Sequence, residues 1–190
     1  MSSVLTTLAS LFLASSAFAS TETVSLQISV HEWEPQAGDQ LLIDTEGNWG
    51  YLAHDDGLFI RFPVVTGQRR SVRYIGRYYN ATTPAWDWEI KSAHRKGDRV
   101  TFGPTGRFLR LYKNGEERTA YGIHGHKDAA QMLAEGDRFR SMGCIIVSES
   151  ILDTIEEAYE FNGGSLAVKT LHGDPFAVLL SREENGAKTD

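Results

Sequence analysis

The chain has 190 residues, of which 41% are hydrophobic and 11% are aromatic. This length and composition allow one full hydrophobic core, which excludes a mainly disordered protein. The 25 acidic and 19 basic residues give a net charge of -6, which argues against nucleic acid or an anionic membrane surface as a partner, because both require a basic face.

The N-terminal segment has the features of an export signal. Residues 1–19 read MSSVLTTLASLFLASSAFA and contain no charged side chain. Ala17-Phe18-Ala19 has the small-x-small form that signal peptidase cuts, which predicts a signal peptide over 1–19 and a mature chain that starts near Ser20. Because serines and threonines interrupt the short apolar stretch, no stable membrane span is expected after cleavage. A permanent N-terminal anchor is the alternative.

Apolar and polar residues alternate in short runs along most of the mature chain. Turn-forming Gly, Asn and Asp pairs separate these runs, which is typical of hairpins. The pattern predicts a mainly β domain. Strands are expected at 25–30, 40–44, 50–53, 58–65, 86–90, 108–112, 121–124, 144–147, 165–171 and 176–180. The basic stretch 69–77 is interpreted as a solvated loop.

One helix is predicted clearly and a second one weakly. Ser148 or Ser150 caps the first helix, and the glycines at 163 and 164 end it. Its apolar stripe consists of Ile151, Leu152, Ile155, Ala158 and Tyr159. The weaker helix runs from 128 to 135. No linker or second core is visible, so the sequence predicts one domain over 20–181 and a flexible tail over 182–190.

The only cysteine, Cys144, lies in the run RSMGCIIV, 20 residues after His124 in the run YGIHGH. A lone cysteine forms no internal disulfide, so it is either a small buried hydrophobe or a reactive thiol. An imidazole that ends one strand beside a thiol that begins the next can remove its proton. We therefore expect Cys144 as nucleophile and His124 as base, with the amides of Gly143 and Cys144 facing an oxyanion.

These motifs resemble those of a known family. Ile-His-Gly, a loop, and then Ser-x-Gly-Cys followed by apolar residues and a helix resemble the catalytic segment of the YkuD-type L,D-transpeptidases, which act on peptidoglycan. Four further segments resemble the family in the same order, and the likeness covers roughly 40–169. These segments are 41–44, 59–67, 83–90 and 163–169.

The resemblance implies a YkuD-like β-sandwich with one or two short helices. It implies that Cys144 attacks the carbonyl of the third residue of a peptidoglycan stem, that His124 is the base, and that Gly125 and Ser141 support them. An amine acceptor or water then resolves the thioester. Stem peptides are the implied partner, the periplasm or cell-wall space of a bacterium is the implied location, and neither a cofactor nor a metal is expected.

Two positions depart from the family pattern. Met142 stands where the family usually has His, and Ile146 where it usually has Arg or Asn. His126, Arg140, Tyr121 and Met142 are candidates for contacts with the substrate, and His126 and Arg140 could supply the missing imidazole and cation. A branch with an apolar residue at the first position includes hydrolases, so an L,D-carboxypeptidase or a wall amidase is an alternative to a transpeptidase. A wall-binding domain without turnover is another.

Overall fold

The computed structural model describes residues 25–74 and 76–176. The predicted signal peptide over 1–19, the tail over 182–190 and nearly all of the expected strand at 176–180 lie outside these ranges. Within them, no helix is long and apolar enough to cross a lipid bilayer.

Strands dominate the described chain, as the alternating pattern predicts. In chain order the strands are β1 (Leu26–Gln27), β2 (Gln40–Asp44), β3 (Trp49–Ala53), β4 (Leu58–Pro63), β5 (Thr66–Gly67), β6 (Ser71–Tyr74), β7 (Arg77–Asn80), β8 (Asp87–Arg95), β9 (Arg107–Lys113), β10 (Glu117–His124), β11 (Phe139–Ser141), β12 (Ile145–Ile146) and β13 (Leu166–Leu171). The helices are a 3₁₀ turn (Val30–Glu32), α1 (Ala129–Ala134) and α2 (Glu149–Phe161). The prediction of a mainly β fold with one or two short helices is confirmed.

Nine strands form one mixed sheet in the order β1-β4-β3-β2-β13-β8-β9-β10-β12. Strand β13 joins its two halves, because it pairs parallel with β2 on one side and antiparallel with β8 on the other. At the far edge, β10 pairs antiparallel with β9 and parallel with β12. Two small sheets, β5 with β11 and β6 with β7, stand outside the main one.

Helix α2 covers one face of the main sheet and closes the core. Ser148 is its N-cap, and the side-chain oxygen accepts a hydrogen bond from the Ile151 N–H at 3.3 Å, as the capping rule predicts. Gly163 and Gly164 have positive φ angles and end the helix. Its buried stripe packs in one cluster with residues of the sheet. Members of this cluster include Leu41, Ile43, Leu52, Ile60, Leu109, Leu111, Ile123, Ile145, Ile151, Leu152, Ile155 and Ala158.

The structure corrects the interpretation of the basic stretch 69–77. It contains β6 and the first residue of β7, which pair as a hairpin with Val72 opposite Tyr79 and Arg73 opposite Tyr78. Both strands are only four residues long and rich in arginine, and most of their residues are exposed, which is also typical of a loop. The sequence does not show which part of the molecule this hairpin contacts. In the structure, its residues Tyr74 and Tyr79 line the cavity that contains Cys144.

Candidate active site

A cavity of about 600 Å³ lies at the edge of the main sheet formed by β9, β10 and β12. Alternate residues of these strands point to the same face and form its floor. The floor consists of Phe108, Arg110, Ala120, His124, Cys144 and Ile146. The walls consist of Tyr74, Tyr79, Lys96, Thr101, Phe102, His126, Met132, Arg140, Ser141 and Met142. Most of this lining is apolar, which suits a site that excludes water around a reacting group.

Strand register brings Cys144 and His124 to this floor. In the parallel pair, Ile123 lies opposite Ile145 and His124 opposite Ile146, so Cys144 enters β12 beside the end of β10. Within the described residues the thiol makes no hydrogen bond to the imidazole, and its sulfur lies 4.0 Å from the Ala120 carbonyl oxygen. The two side chains therefore share one cavity without a hydrogen bond between them.

The His124 ring is held in one orientation. The side chain is buried, and its Nδ1 lies 2.6 Å from the Gly125 carbonyl oxygen. A carbonyl only accepts, so Nδ1 carries the proton and Nε2 keeps the lone pair. The rings of Phe102 and Phe108 pack against the imidazole at 5.1 and 5.9 Å between centroids. This tautomer is the one that a general base requires.

Burial keeps both groups uncharged near neutral pH. It raises the pKa of the Cys144 thiol to about 11, while the Gly122 backbone N–H and the Arg110 guanidinium act in the opposite direction. Burial also lowers the pKa of His124, and the hydrogen bond to the Gly125 carbonyl offsets part of that effect. The resting pair is thus a thiol and a neutral imidazole, so proton removal has to accompany attack.

The loop from Ser141 to Cys144 is tied by its own serine. The Ser141 hydroxyl accepts a hydrogen bond from the Gly143 N–H at 3.1 Å and donates to the Cys144 carbonyl at 2.5 Å. The Gly143 amide, expected to face an oxyanion, is therefore engaged by Ser141, since one N–H makes one good hydrogen bond. The Cys144 amide is left as the candidate oxyanion donor of this loop.

Thr83 fixes the same loop from outside. Its hydroxyl accepts from the Gly67 N–H and donates to the Gly143 carbonyl, both at 2.9 Å. Gly67 has to be glycine, because a Cβ there would lie 2.0 Å from the Ala81 carbonyl oxygen. Sequence reasoning noted the segment that begins at Thr83 only as part of a resemblance. It did not find that this hydroxyl links two otherwise separate segments.

Tyr121 supports the loop and does not line the cavity. Gly143 has φ +109°, and a Cβ on it would lie 2.7 Å from Cε1 of Tyr121. The ring of Tyr121 also packs edge-on against Trp86 and Trp88, with centroids 6.3 and 5.5 Å away. That Tyr121 contacts substrate stays a prediction, since neighbouring aromatic rings and the loop bury its side chain only in part.

The other expected substrate contacts do lie at the cavity. His126, Arg140 and Met142 all line it. Arg140 already forms an ion pair with Glu135. The Met142 sulfur lies 3.6 Å from the Gln68 side-chain nitrogen, a contact typical of a weak acceptor. The cavity therefore has an apolar wall beside the thiol, to which Met142 contributes.

Gly125 packs against the carboxylate of Glu149, which a side chain at this position would displace. A Cβ there would lie 2.3 Å from Oε1 of Glu149, which is at the start of α2. Glu149 in turn forms an ion pair with Arg107 of β9 at 2.9 Å. The carbonyl that orients the His124 ring is therefore backed by the first turn of α2.

Arg110 is the cavity residue that sequence reasoning missed. It lies between Leu109 and Leu111 in β9, and this position in an alternating strand is a signal for a residue on the opposite face. Lys96, Arg110 and Arg140 are the cations of the lining, and none of its residues is acidic. Across 25–74 and 76–176, no three His, Cys, Asp or Glu side chains lie close enough to hold a metal ion.

Comparison with known proteins identifies the family of this fold and site. The profile of the YkuD family, described as the L,D-transpeptidase catalytic domain, matches residues 39–161. The chain belongs to the YkuD family. The matched range includes the Thr83 segment and the His124 and Cys144 motifs, so the resemblance based on them is confirmed. No curated protein matches the chain.

Two solved structures share the fold of this YkuD domain at low sequence identity. An L,D-transpeptidase from Xylanimonas cellulosilytica is 19% identical, with a TM-score of 0.50 over 73% of this chain and 63% of that one. The protein Bd1075 of Bdellovibrio bacteriovorus is 11% identical, with a TM-score of 0.51 over 87% of this chain and 59% of that one. The chain thus spans less than two thirds of either solved chain, and these likenesses establish the fold.

Proposed function

We propose that this YkuD domain is a peptidoglycan L,D-transpeptidase that works through an acyl-enzyme on Cys144. The observation that carries the proposal is that Cys144 and His124 face one largely apolar cavity from adjacent parallel strands. The signal-like segment 1–19 supports export. The site of action is then the periplasm or cell-wall space of a bacterium.

In the first half-reaction, Nε2 of His124 takes the thiol proton while the sulfur attacks the carbonyl carbon of the third stem residue. The Cys144 amide donates to the developing oxyanion. When the tetrahedral intermediate collapses, the C–N bond to the terminal residue breaks. The imidazolium returns its proton to the leaving amine, so the products are a thioester and a free amino acid.

In the second half-reaction, the amine of an acceptor stem attacks the thioester carbonyl. His124 accepts a proton from that amine and returns it to the departing sulfur, which restores the thiol. The new amide bond cross-links two stems. The neutral resting imidazole fits both half-reactions, because Nε2 of His124 begins each of them unprotonated.

Hydrolysis is the second candidate, and Met142 is the observation that favours it. The methionine forms an apolar wall beside the thiol at a position where an imidazole is usual. A thioether neither donates a hydrogen bond nor takes a proton from an incoming amine. If no other group assists the amine, water resolves the thioester and the enzyme is an L,D-carboxypeptidase.

The test incubates the purified protein with tetrapeptide stems, with and without an excess of acceptor stem, and identifies products by mass. Cross-linked dimers are expected for a transpeptidase, and tripeptide alone identifies a carboxypeptidase. An adduct on Cys144 equal to the tripeptide acyl group, trapped by acid quench, is expected in both cases. Unchanged stems and no adduct would contradict the proposal and favour a wall amidase or a wall-binding domain.

A further inference from the structure

Arg110 is a buried cation without a counter-ion. It is 8% exposed and lines the cavity. Its Nη1 donates to the Thr119 carbonyl, and its guanidinium lies 4.9 Å from the centre of the Phe108 ring. No carboxylate of the described chain lies within ion-pair distance, and its Nε is buried without an acceptor.

A buried arginine without a counter-ion destabilises the fold. An arginine keeps its charge in almost any environment, and removing that charge from water costs several kcal/mol unless an anion faces it. Arg110 nevertheless lies in the same cavity as Cys144, and no acidic residue lines that cavity. The cavity therefore matches a ligand that carries a negative charge of its own.

The position of Arg110 relative to Cys144 follows from strand register. Arg110 lies opposite Gly122 on β10, and the residue after Gly122 pairs with the residue after Cys144 on β12. Gly122 has no side chain, and the Phe108 ring occupies its place in this row, since a Cβ on Gly122 would lie 2.3 Å from Cζ of Phe108. Arg110 still acts on the thiol across this row, because its charge favours a lower pKa of Cys144.

The other cations of the cavity are less suited to this task. Arg140 is exposed and already paired with Glu135. Lys96 presents a flexible ammonium 5.3 Å from the centre of the Phe108 ring, and a flexible point charge orients a carboxylate less well than a guanidinium. Ile146, which stands at the usual place of the family's cation, is apolar and lines the floor beside Cys144.

We propose that Arg110 binds a carboxylate of the peptide whose carbonyl Cys144 attacks, and that it thereby positions this carbonyl at the thiol. This inference rests on the proposed function. The carboxylate belongs either to the C-terminal residue that leaves or to the side chain of an acidic stem residue. Both present the same planar anion to the guanidinium.

The first test needs no turnover of stems. The alkylation rates of Cys144 with iodoacetate, which carries a carboxylate, and with neutral iodoacetamide are compared and normalised to those of a free thiol. Because both reagents need the same thiolate, its fraction cancels in the ratio. In Arg110→Gln the normalised ratio is expected to fall about tenfold or more, the range for a hydrogen bond to a charged group.

Arg118→Gln is the matched control, since it removes an exposed arginine of β10 that does not line the cavity. It should keep the ratio within about twofold of the unaltered protein, because exposed charges are screened. Equal ratios in the unaltered protein and Arg110→Gln would overturn the proposal. An equal fall of the ratio in Arg110→Gln and Arg118→Gln would also overturn it, since it would show only the general electrostatic effect of a nearby positive charge.

The second test identifies the carboxylate. Turnover of a tetrapeptide stem is compared with that of two amidated forms, one blocked at the C-terminus and one at the acidic side chain. Arg110→Gln should lower kcat/KM about 10- to 100-fold on the free stem. On the amidated stem that lacks the recognised carboxylate, Arg110→Gln should have the same kcat/KM as the unaltered protein.

An equal loss on all three stems would contradict carboxylate recognition. If the unaltered protein turns over no stem, the proposed function fails, while the alkylation ratio still decides the role of Arg110. Thermal unfolding of each variant accompanies both tests. Arg110→Lys serves as a second variant that keeps the charge but lacks the planar fork, and it should recover part of the ratio.

Discussion

Strand β9 carries two buried arginines in opposite surroundings. Arg107 points to the α2 side of the sheet, where it forms ion pairs with Glu149, Asp153 and Glu156. Arg110, three positions later and on the other face, has no carboxylate near it among the described residues. Both are at least nine-tenths buried. A cation neutralised by the protein itself stabilises the fold, whereas a cation left without an anion is available to a ligand.

The two faces of β9 are therefore built for different purposes, yet they are connected. The carboxylate of Glu149 binds Arg107 and also abuts Gly125, whose carbonyl orients the His124 ring. Loss of the Arg107 ion pairs is expected to act first on stability. Loss of a cavity residue is expected to act first on turnover.

The largest effect is expected for Cys144→Ala on the cavity face. The variant should lose all turnover and all acyl adduct, because the sulfur is the nucleophile. Its melting temperature should stay within a few degrees of the unaltered protein, since only the sulfur atom is removed from a partly buried position. Product mass and thermal unfolding measure the two outcomes.

Cys144→Ser is the control for packing, because the hydroxyl is close in size to the thiol. If Cys144→Ala unfolds at a much lower temperature while each folded molecule keeps its activity, the cysteine serves packing. That result would contradict the assignment of the cavity face to turnover.

The next largest effect is a change in the free energy of unfolding that has opposite signs for the two arginines. Arg107→Met leaves three carboxylates without their shared cation, so it should lower the free energy of unfolding by about 3 kcal/mol. Arg110→Met replaces an uncompensated charge by an apolar chain and should raise it by about 1 kcal/mol. Urea unfolding at constant pH and salt measures both. A loss of stability for both variants would show that Arg110 is also structural.

A smaller effect concerns pH. The folded thiol keeps its proton up to a pKa of about 11, whereas an unfolded cysteine ionises near about 8.5. The unfolded state thus loses its proton first, and the stability that the buried thiol contributes is present below about 8.5 and lost as pH rises through 11. Alkylation by iodoacetamide should show an inflection at the upper value.

Arg110→Met should move that inflection further up, because it removes a cation that favours the thiolate. An inflection near or below 8.5 in the unaltered protein would instead show that an ion pair with His124 holds the thiolate at rest. A shift in His124→Ala but not in Arg110→Met would assign that role to the imidazole.

The smallest effect is expected at the apolar wall. Met142→His places a donor and a titratable group beside the thioester, so the ratio of cross-linked to hydrolysed stem should rise severalfold. Full recovery is not expected, since an added group lacks the contacts that would position it. Met142→Gln is the control for polarity without titration. A ratio that moves towards hydrolysis would show that Met142 excludes water.

The fold could be predicted where local rules decide it. The alternation of β13, and the Ser148 cap with the glycines after α2, depend on neighbouring residues alone. The positions of His124 at the end of one strand and Cys144 at the start of another followed from the same local patterns. Their meeting needs one further element, the pairing of β10 with β12.

The role of Arg110 could not be predicted in this way. In the sequence RFLRLYK an arginine between two leucines is typical of the solvent side of a strand. Only the pairing of β9 with β10, and the β6–β7 hairpin whose Tyr74 and Tyr79 line the same space, make that side part of a cavity. Burial of a charge depends on tertiary packing that the alternation does not encode.

The hydroxyl of Thr83 gives the site a reporter that is remote from its reacting atoms. The Gly67 N–H can exchange with solvent only when its bond to this hydroxyl opens, and the same hydroxyl holds the Gly143 carbonyl. Protection of that one amide against deuterium exchange thus measures how often Thr83 moves away from Gly67, and a displacement of Thr83 also frees the nucleophile loop. If acylation at Cys144 loosens the loop, the exchange rate at Gly67 will record it without any probe in the cavity.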